Sequence, residues 1–219
     1  MRNWGMLVTG FYAAVVVLLM VPGADYLADG ELDQALYGEW LLALGILVLV
    51  AGEALLLFLS VDRSRRLLRP RRHLLVSAGT SALMLGLLTF AAVWSLGAGF
   101  LGDDFPPETY RGWVDTRAKL IAWCLLLWVF WGLVFALYLQ RRSVSLTRLL
   151  SWLLEGSVLE LLIAVPAHVA TRHREDCSAP GVTALGVATG IAIMLMSFGP
   201  GVLLLYKKRI DDYQRRHGG

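Results

Sequence analysis

Charge is what this chain has least of. Only 17% of its 219 residues are Asp, Glu, Lys or Arg, and 57% are hydrophobic. An ordinary soluble domain is about 25% charged and about 45–50% apolar. The shortfall excludes the usual charge-coated surface, and the apolar residues fall in long uninterrupted blocks, which points to a bilayer rather than a large soluble core. Cysteine is nearly absent too. Cys124 and Cys177 stand alone without CxxC spacing, which excludes a disulfide framework or a zinc ribbon. The chain has no Walker A, GxSxG, HExxH or CxxCH motif, so nucleotide, serine-hydrolase, zincin and c-type haem chemistry have no footing in it. The net charge of +3 resides largely in short arginine-rich segments between apolar blocks. Membrane orientation explains them more simply than nucleic acid, and no nucleic-acid partner is expected.

What is present is six apolar runs, at about 5–22, 40–61, 74–100, 118–140, 149–171 and 182–206. Each approaches or exceeds the roughly 20 residues that a helix needs to cross about 30 Å of hydrocarbon. Lipid offers no partner to backbone groups, and the alternation of a barrel strand is missing, so the runs must be helices. The expected fold is therefore all-α: a single six-helix transmembrane bundle over residues 1–219, with no soluble domain between spans.

The connections alternate in charge. DRSRRLLRPRRH (62–73), RRSVSLTR (141–148) and KKRIDDYQRRHGG (207–219), with Arg2, hold fifteen Lys or Arg, against four in 23–39, 101–117 and 172–181. The positive-inside rule then places both termini in the cytoplasm, with the chain multi-pass in an inner membrane. Trp4, Trp40, Trp113 and Trp152 fall at the expected interfaces. Residues 1–24 compete as a secretory leader, but the apolar run is long and the cleavage site poor. ELDQALYG (31–38) reads as a short helix on the outer surface.

Three carboxylates break the apolar rule: Glu53, Glu155 and Glu160. An ionisable group at a span centre costs about 2.5–3.5 kcal/mol on insertion scales, so each needs an internal reason. By helical rise, Glu155 lies about 9 Å, Glu53 about 12 Å and Glu160 about 16 Å from the cytoplasmic ends of their spans. Similar depth permits a proton or cation path if spans two and five touch. The plain alternative is that each carboxyl is protonated and merely ties helices together. Ser157, Glu160, Ala164 and His168 recur at helical spacing and share a face. Pro166 frees the Leu162 carbonyl and is expected to kink the same helix.

At the outer end of span five, His168, His173, Asp176 and Cys177 combine imidazole, carboxylate and thiol, a donor set that suits zinc or copper. The competing reading is a polar helix end followed by a solvated loop. In span six, Gly186 and Gly190 form a GxxxG read as helix packing. Gly199, Pro200 and Gly201 are expected to break or kink the helix. The aromatic stripe of span four, Trp123, Trp128, Phe130, Trp131, Phe135 and Tyr138, suits lipid or a partner subunit better than a cofactor.

These features lead to the expectation of a membrane protein that binds or passes a cation, proton or transition metal, through a polar interior of spans two, five and six. Beside it stand an accessory subunit of a larger membrane complex or homo-oligomer, and a membrane metalloenzyme working at the His/Cys cluster. No catalytic residue is identified, and the expectation leans away from an enzyme.

Overall fold

The computed structural model describes the backbone of residues 2–28, 32–61, 71–101, 117–141, 146–173 and 179–217. It describes side chains for 6–20, 42–57, 76–100, 121–138, 148–173 and 179–198. Six helices account for nearly all of this: α1 (Arg2–Ala28), α2 (Leu32–Val61), α3 (Arg71–Leu101), α4 (Arg117–Arg141), α5 (Leu146–Thr171) and α6 (Ala179–His217). No strand occurs among the described residues. Four of the helices carry stretches long and apolar enough to cross a membrane: Val76–Phe100, Ile121–Tyr138, Arg148–Thr171 and Ala179–Phe198. The described side chains of α1 and α2 give shorter apolar stretches, Met6–Met20 and Leu42–Leu57.

Two local expectations are corrected. Residues 32–38 do not form a separate surface helix but are the first turns of α2. Of the break or kink expected at Gly199-Pro200-Gly201, the break is absent, because α6 is continuous across it. Proline removes one amide bond, here to the Met196 carbonyl. Unwinding would strip several groups of partners in a medium that supplies none.

The centre of the bundle is α3, α5 and α6, each packed on the other two. Half of the apolar stretch of α6 is buried, against 6% of that of α4. That contrast makes α6 the inner wall and α4 a peripheral helix lying on α3. The α1–α2 hairpin completes the bundle from the other side, both members touching α6 and α2 also touching α3. The outward faces stay apolar: Leu18, Leu47, Phe100, Val129 and Leu162 are all exposed. In water such an envelope would aggregate; against acyl chains it costs nothing.

Lipid tails are as apolar as leucine, so close packing rather than hydrophobic exclusion must hold the helices together. Glycines sit at the points of closest approach. A Cβ at Gly52 of α2 would strike Met84, one at Gly156 of α5 would press Leu85, and one at Gly86 of α3 would lie 3.4 Å from the Trp128 amide nitrogen. The tightest case is Gly190 of α6, where a Cβ would overlap the Glu160 carboxyl and crowd Leu161. α4 is attached differently. Trp128 Nε1 donates to Gly79 O (2.9 Å) and Trp131 Nε1 to Thr89 Oγ1 (3.0 Å), both on α3. Indole N–H groups find no other partner in hydrocarbon.

Gly190→Ala is therefore expected to destabilise the bundle by about 1–3 kcal/mol through overpacking. Gly45→Ala, where nothing lies within 4 Å, should be neutral or stabilising by up to about 1 kcal/mol. Unfolding of the purified protein in detergent by denaturant titration measures both.

Candidate functional site

A polar seam runs along the α3–α5–α6 interface. On α5 the buried face reads Ser157, Glu160, Ala164, Ala167 and Thr171. On α6 it reads Thr183, Gly186, Gly190, Ile193 and Ser197, and on α3 it includes Ser81, Met84, Leu88, Ala91 and Ser95. Each set follows the three-and-four spacing of one helix face. Its polar members are Glu160 and a set of serines and threonines, interleaved with small residues and with the apolar Met84, Leu88 and Ile193.

Glu160 occupies its middle. The residue is 2% exposed, and neither carboxyl oxygen has a hydrogen-bond partner. Its carboxyl rests on the small-residue face of α6 at Gly186 and Gly190, and only glycine at 190 leaves room for it. Ser95 of α3 closes the third side. A Cβ placed on Gly186 would lie 2.5 Å from Ser95 Oγ and 3.5 Å from Glu160 Oε1. The two oxygens are thus at most about 6 Å apart, a gap one water can bridge. Ser95 Oγ is likewise buried and without a partner.

Most other hydroxyls of the seam have committed their protons; Ser81, about four turns along α3 from Ser95, is the exception and has no partner. Ser157 donates to Leu153 O (2.7 Å), Ser197 to Ile193 O (2.9 Å) and Thr171 to Ala167 O (2.9 Å). Such bonds to the preceding turn are how Ser and Thr satisfy themselves in apolar helices. Ser95 does not do this, and it is the hydroxyl beside Glu160. Three buried oxygens without partners around one point are unusual in a folded interior, where such atoms are nearly always bonded to protein or water. Polar groups spaced for a water, or for a proton carried on one, make that arrangement tolerable.

At the C-terminal end of α5, His168 joins α5 to α6. Its Nδ1 lies 3.1 Å from Thr183 Oγ1, which lies 2.9 Å from Thr171 Oγ1. Thr183 also donates to Ala179 O (2.9 Å). His168 Nδ1 and Thr183 Oγ1 share one hydrogen, whose owner is set by the ring tautomer, and either threonine can donate to the other. Glu160 and His168 share a helix but stand about 12 Å apart along its axis.

The remaining sequence candidates are distributed differently. Glu155 is exposed, with Ser151 Oγ donating to it at 2.9 Å, and does not join the seam. Glu53 is buried like Glu160, but its neighbours belong to α1. Pro166 and Leu162 are exposed, so the freed carbonyl lies on the face of α5 turned away from Glu160. His173 is exposed and accepts from Arg172 Nε at 3.0 Å. Asp176 and Cys177 lie outside the described residues. Among the described residues no three His, Cys, Asp or Glu side chains gather as metal ligands. In the aromatic stripe of α4, Phe135 is buried and stacks on Trp152 (5.3 Å), and Tyr138 lies 4.9 Å from the same ring. Trp123, Trp128 and Phe130 face outward.

Comparison with protein families, curated proteins and solved structures finds no match. Function must therefore be argued from the seam itself. Ser95 had no sequence motif to announce it. Its signal was faint: a serine in register with Ser81, about four turns apart on a helix that also carries Ser77, Thr80 and Thr89.

The His168–Thr183–Thr171 chain predicts a measurable tie between α5 and α6. Thr183→Val keeps the shape and removes the hydroxyl. It should cost about 0.6–1.7 kcal/mol, the range for interhelical hydrogen bonds in membranes. A double-mutant cycle with His168→Ala should show non-additivity, measured by unfolding in detergent.

Proposed function

We propose that this chain is a six-span inner-membrane protein, both termini cytoplasmic, that binds and passes protons through Glu160. One observation carries the reading: a carboxyl 2% exposed, with both oxygens unpartnered, beside an unpartnered serine hydroxyl. The chemistry around it favours the proton over other cations. Hard divalent ions take six or more oxygen ligands, and this point offers three side-chain oxygens. Zinc and copper favour imidazole or thiolate donors, and the described neighbours of Glu160 supply none. A carboxyl that exchanges a proton with a water held by Ser95 needs only the groups present.

In this reading Glu160 is the proton-holding group and Ser95 is a positioning residue that holds the water bonded to the carboxylate form. The glycines of α6 keep the carboxyl in a narrow slot, closed to larger ions. His168, with Thr183 and Thr171, stands at the outer end of the same seam. A second reading, an accessory subunit of a membrane complex, draws support from α4. That helix is apolar and aromatic on its outer side, and an open recess of about 250 Å³ beside it is lined by Ala78, Gly79, Trp128 and Gly132.

Proteoliposomes under a pH gradient, read with an internal pH-sensitive dye, separate these. Glu160→Gln should abolish proton flux and Glu155→Gln should leave it unchanged. Ser95→Ala removes a hydrogen bond to the bridging water worth about 1.5 kcal/mol and should slow flux on the order of tenfold. Flux that persists in Glu160→Gln removes the proposal. No flux in any form, with a membrane protein co-purifying in fixed ratio, establishes the accessory subunit. Tags at both termini, probed from each side of spheroplasts, test the orientation.

A further inference from the structure

The α1–α2 hairpin carries a second buried carboxyl that the Glu160 seam does not use. Glu53 is 2% exposed, and its Oε2 has no hydrogen-bond partner. On α1, Thr9, Tyr12, Val16 and Met20 follow the spacing of one helix face, and Glu53 lies toward its Thr9–Tyr12 end. Thr9 Oγ1 stands beside the Glu53 carboxyl and is itself buried without a full hydrogen bond. Tyr12, 5% exposed, lies within electrostatic range of Glu53.

Tyr12 does not donate to this carboxyl. Its hydroxyl reaches across to α6 and donates to Ala192 O at 3.1 Å, deep in the bundle. A carboxylate is the stronger acceptor, since bonds to an ionised group are roughly twice as strong as neutral ones. A phenol beside an anionic carboxylate would turn to it rather than to a carbonyl that its own helix already uses. The bond to Ala192 therefore fits the neutral, proton-holding form of Glu53.

We propose that Glu53, Thr9 and Tyr12 form a second proton-binding site between α1, α2 and α6. Tyr12 donates to Ala192 O while Glu53 holds the proton, and to the Glu53 carboxylate once the proton leaves. The exchange balances simply: Glu53–COOH releases one proton and becomes Glu53–COO⁻, while Tyr12 keeps its own hydrogen and changes only its acceptor. Thr9 supplies the second donor to the anion. Among the described residues, the one titratable group facing Glu53 from α1 is Tyr12. The α3 residues beside Gly52 are Thr80 and Met84, and α6 presents the Ala192 carbonyl. Proton release thus removes the Tyr12 hydrogen bond between the hairpin and α6, the inner wall that also seats Glu160, while the apolar packing between them remains. The site stands on its own side chains and does not require Glu160 to conduct.

Infrared difference spectra of the full-length protein in lipid nanodiscs, between acid and alkaline buffer, test this. Glu160→Gln should retain, beside the bands of ordinary carboxyls that vanish by neutral pH, a protonated-carboxyl band that disappears only on further alkalinisation, and adding Glu53→Gln to that background should remove it. Glu53→Asp should shift it, provided far-ultraviolet dichroism reports an intact helix content. The Tyr12 phenol band, assigned by its loss in Tyr12→Phe, should move in step with the Glu53 band in wild type and in Glu160→Gln. It should stand still in Glu53→Gln. A carboxyl band indifferent to both Glu53 variants overturns the site, and a Tyr12 band that ignores Glu53 overturns the exchange of acceptors. Because Glu160→Gln is the background, these outcomes are read independently of whether Glu160 carries flux.

Discussion

A carboxyl group surrounded by hydrocarbon must find every partner inside the protein, because the solvent has none to give. This constraint organises the bundle around α6. Glu160 fits only because Gly186 and Gly190 leave the α6 surface bare, and those glycines in turn bring α5 close enough to bury the carboxyl. A side chain at 190 would displace Glu160, and a longer residue at 95 would fill the space that Ser95 shares with it. Packing and polarity are here the same problem: the helices approach closely where small residues permit, and the polar atoms lie where they approach.

The same constraint sorts the rest of the polar inventory. Most buried hydroxyls turn back on the preceding carbonyl and vanish as chemistry: Thr80, Thr89, Ser157, Thr189 and Ser197 all do so. The indoles of Trp128 and Trp131 solve it by fastening α4 to α3. What remains unresolved is concentrated: Glu160 with Ser95, Glu53 with Thr9, and Ser81. Buried atoms left without partners mark where something else completes the structure, and a proton or a water is the smallest thing that can.

The two carboxyls differ in how the fold holds them. Glu160 is enclosed by three mutually packed helices and shares one continuous face of α5 with Thr171 at its C-terminal end. Glu53 sits on a two-helix hairpin whose hold on the inner wall includes the Tyr12 hydroxyl on Ala192 O. The first is built as a fixed post, the second as a clasp.

The sequence by itself determined the solvent, the helical class and which residues were anomalous. Long apolar runs admit no other secondary structure in lipid, and Glu53 and Glu160 stood out because charge is costly at their depth. The shared face of Ser157, Glu160 and Ala164 was legible because helical spacing is local. So was the role of Gly186 and Gly190 in close packing. Which anomalies matter was not legible. Glu155 lies five residues from Glu160, yet it is exposed while Glu160 is buried, since rotation about the helix axis relative to neighbours is fixed only when the bundle assembles. The continuity of α6 through Gly199-Pro200-Gly201 also escaped local rules, which register the lost amide but not the lipid that penalises unwinding. Only tertiary structure brought Ser95 to Glu160 and Tyr12 to Ala192. Those pairs are 65 and 180 positions apart, and packing geometry, not local pattern, decides what meets across a helix interface.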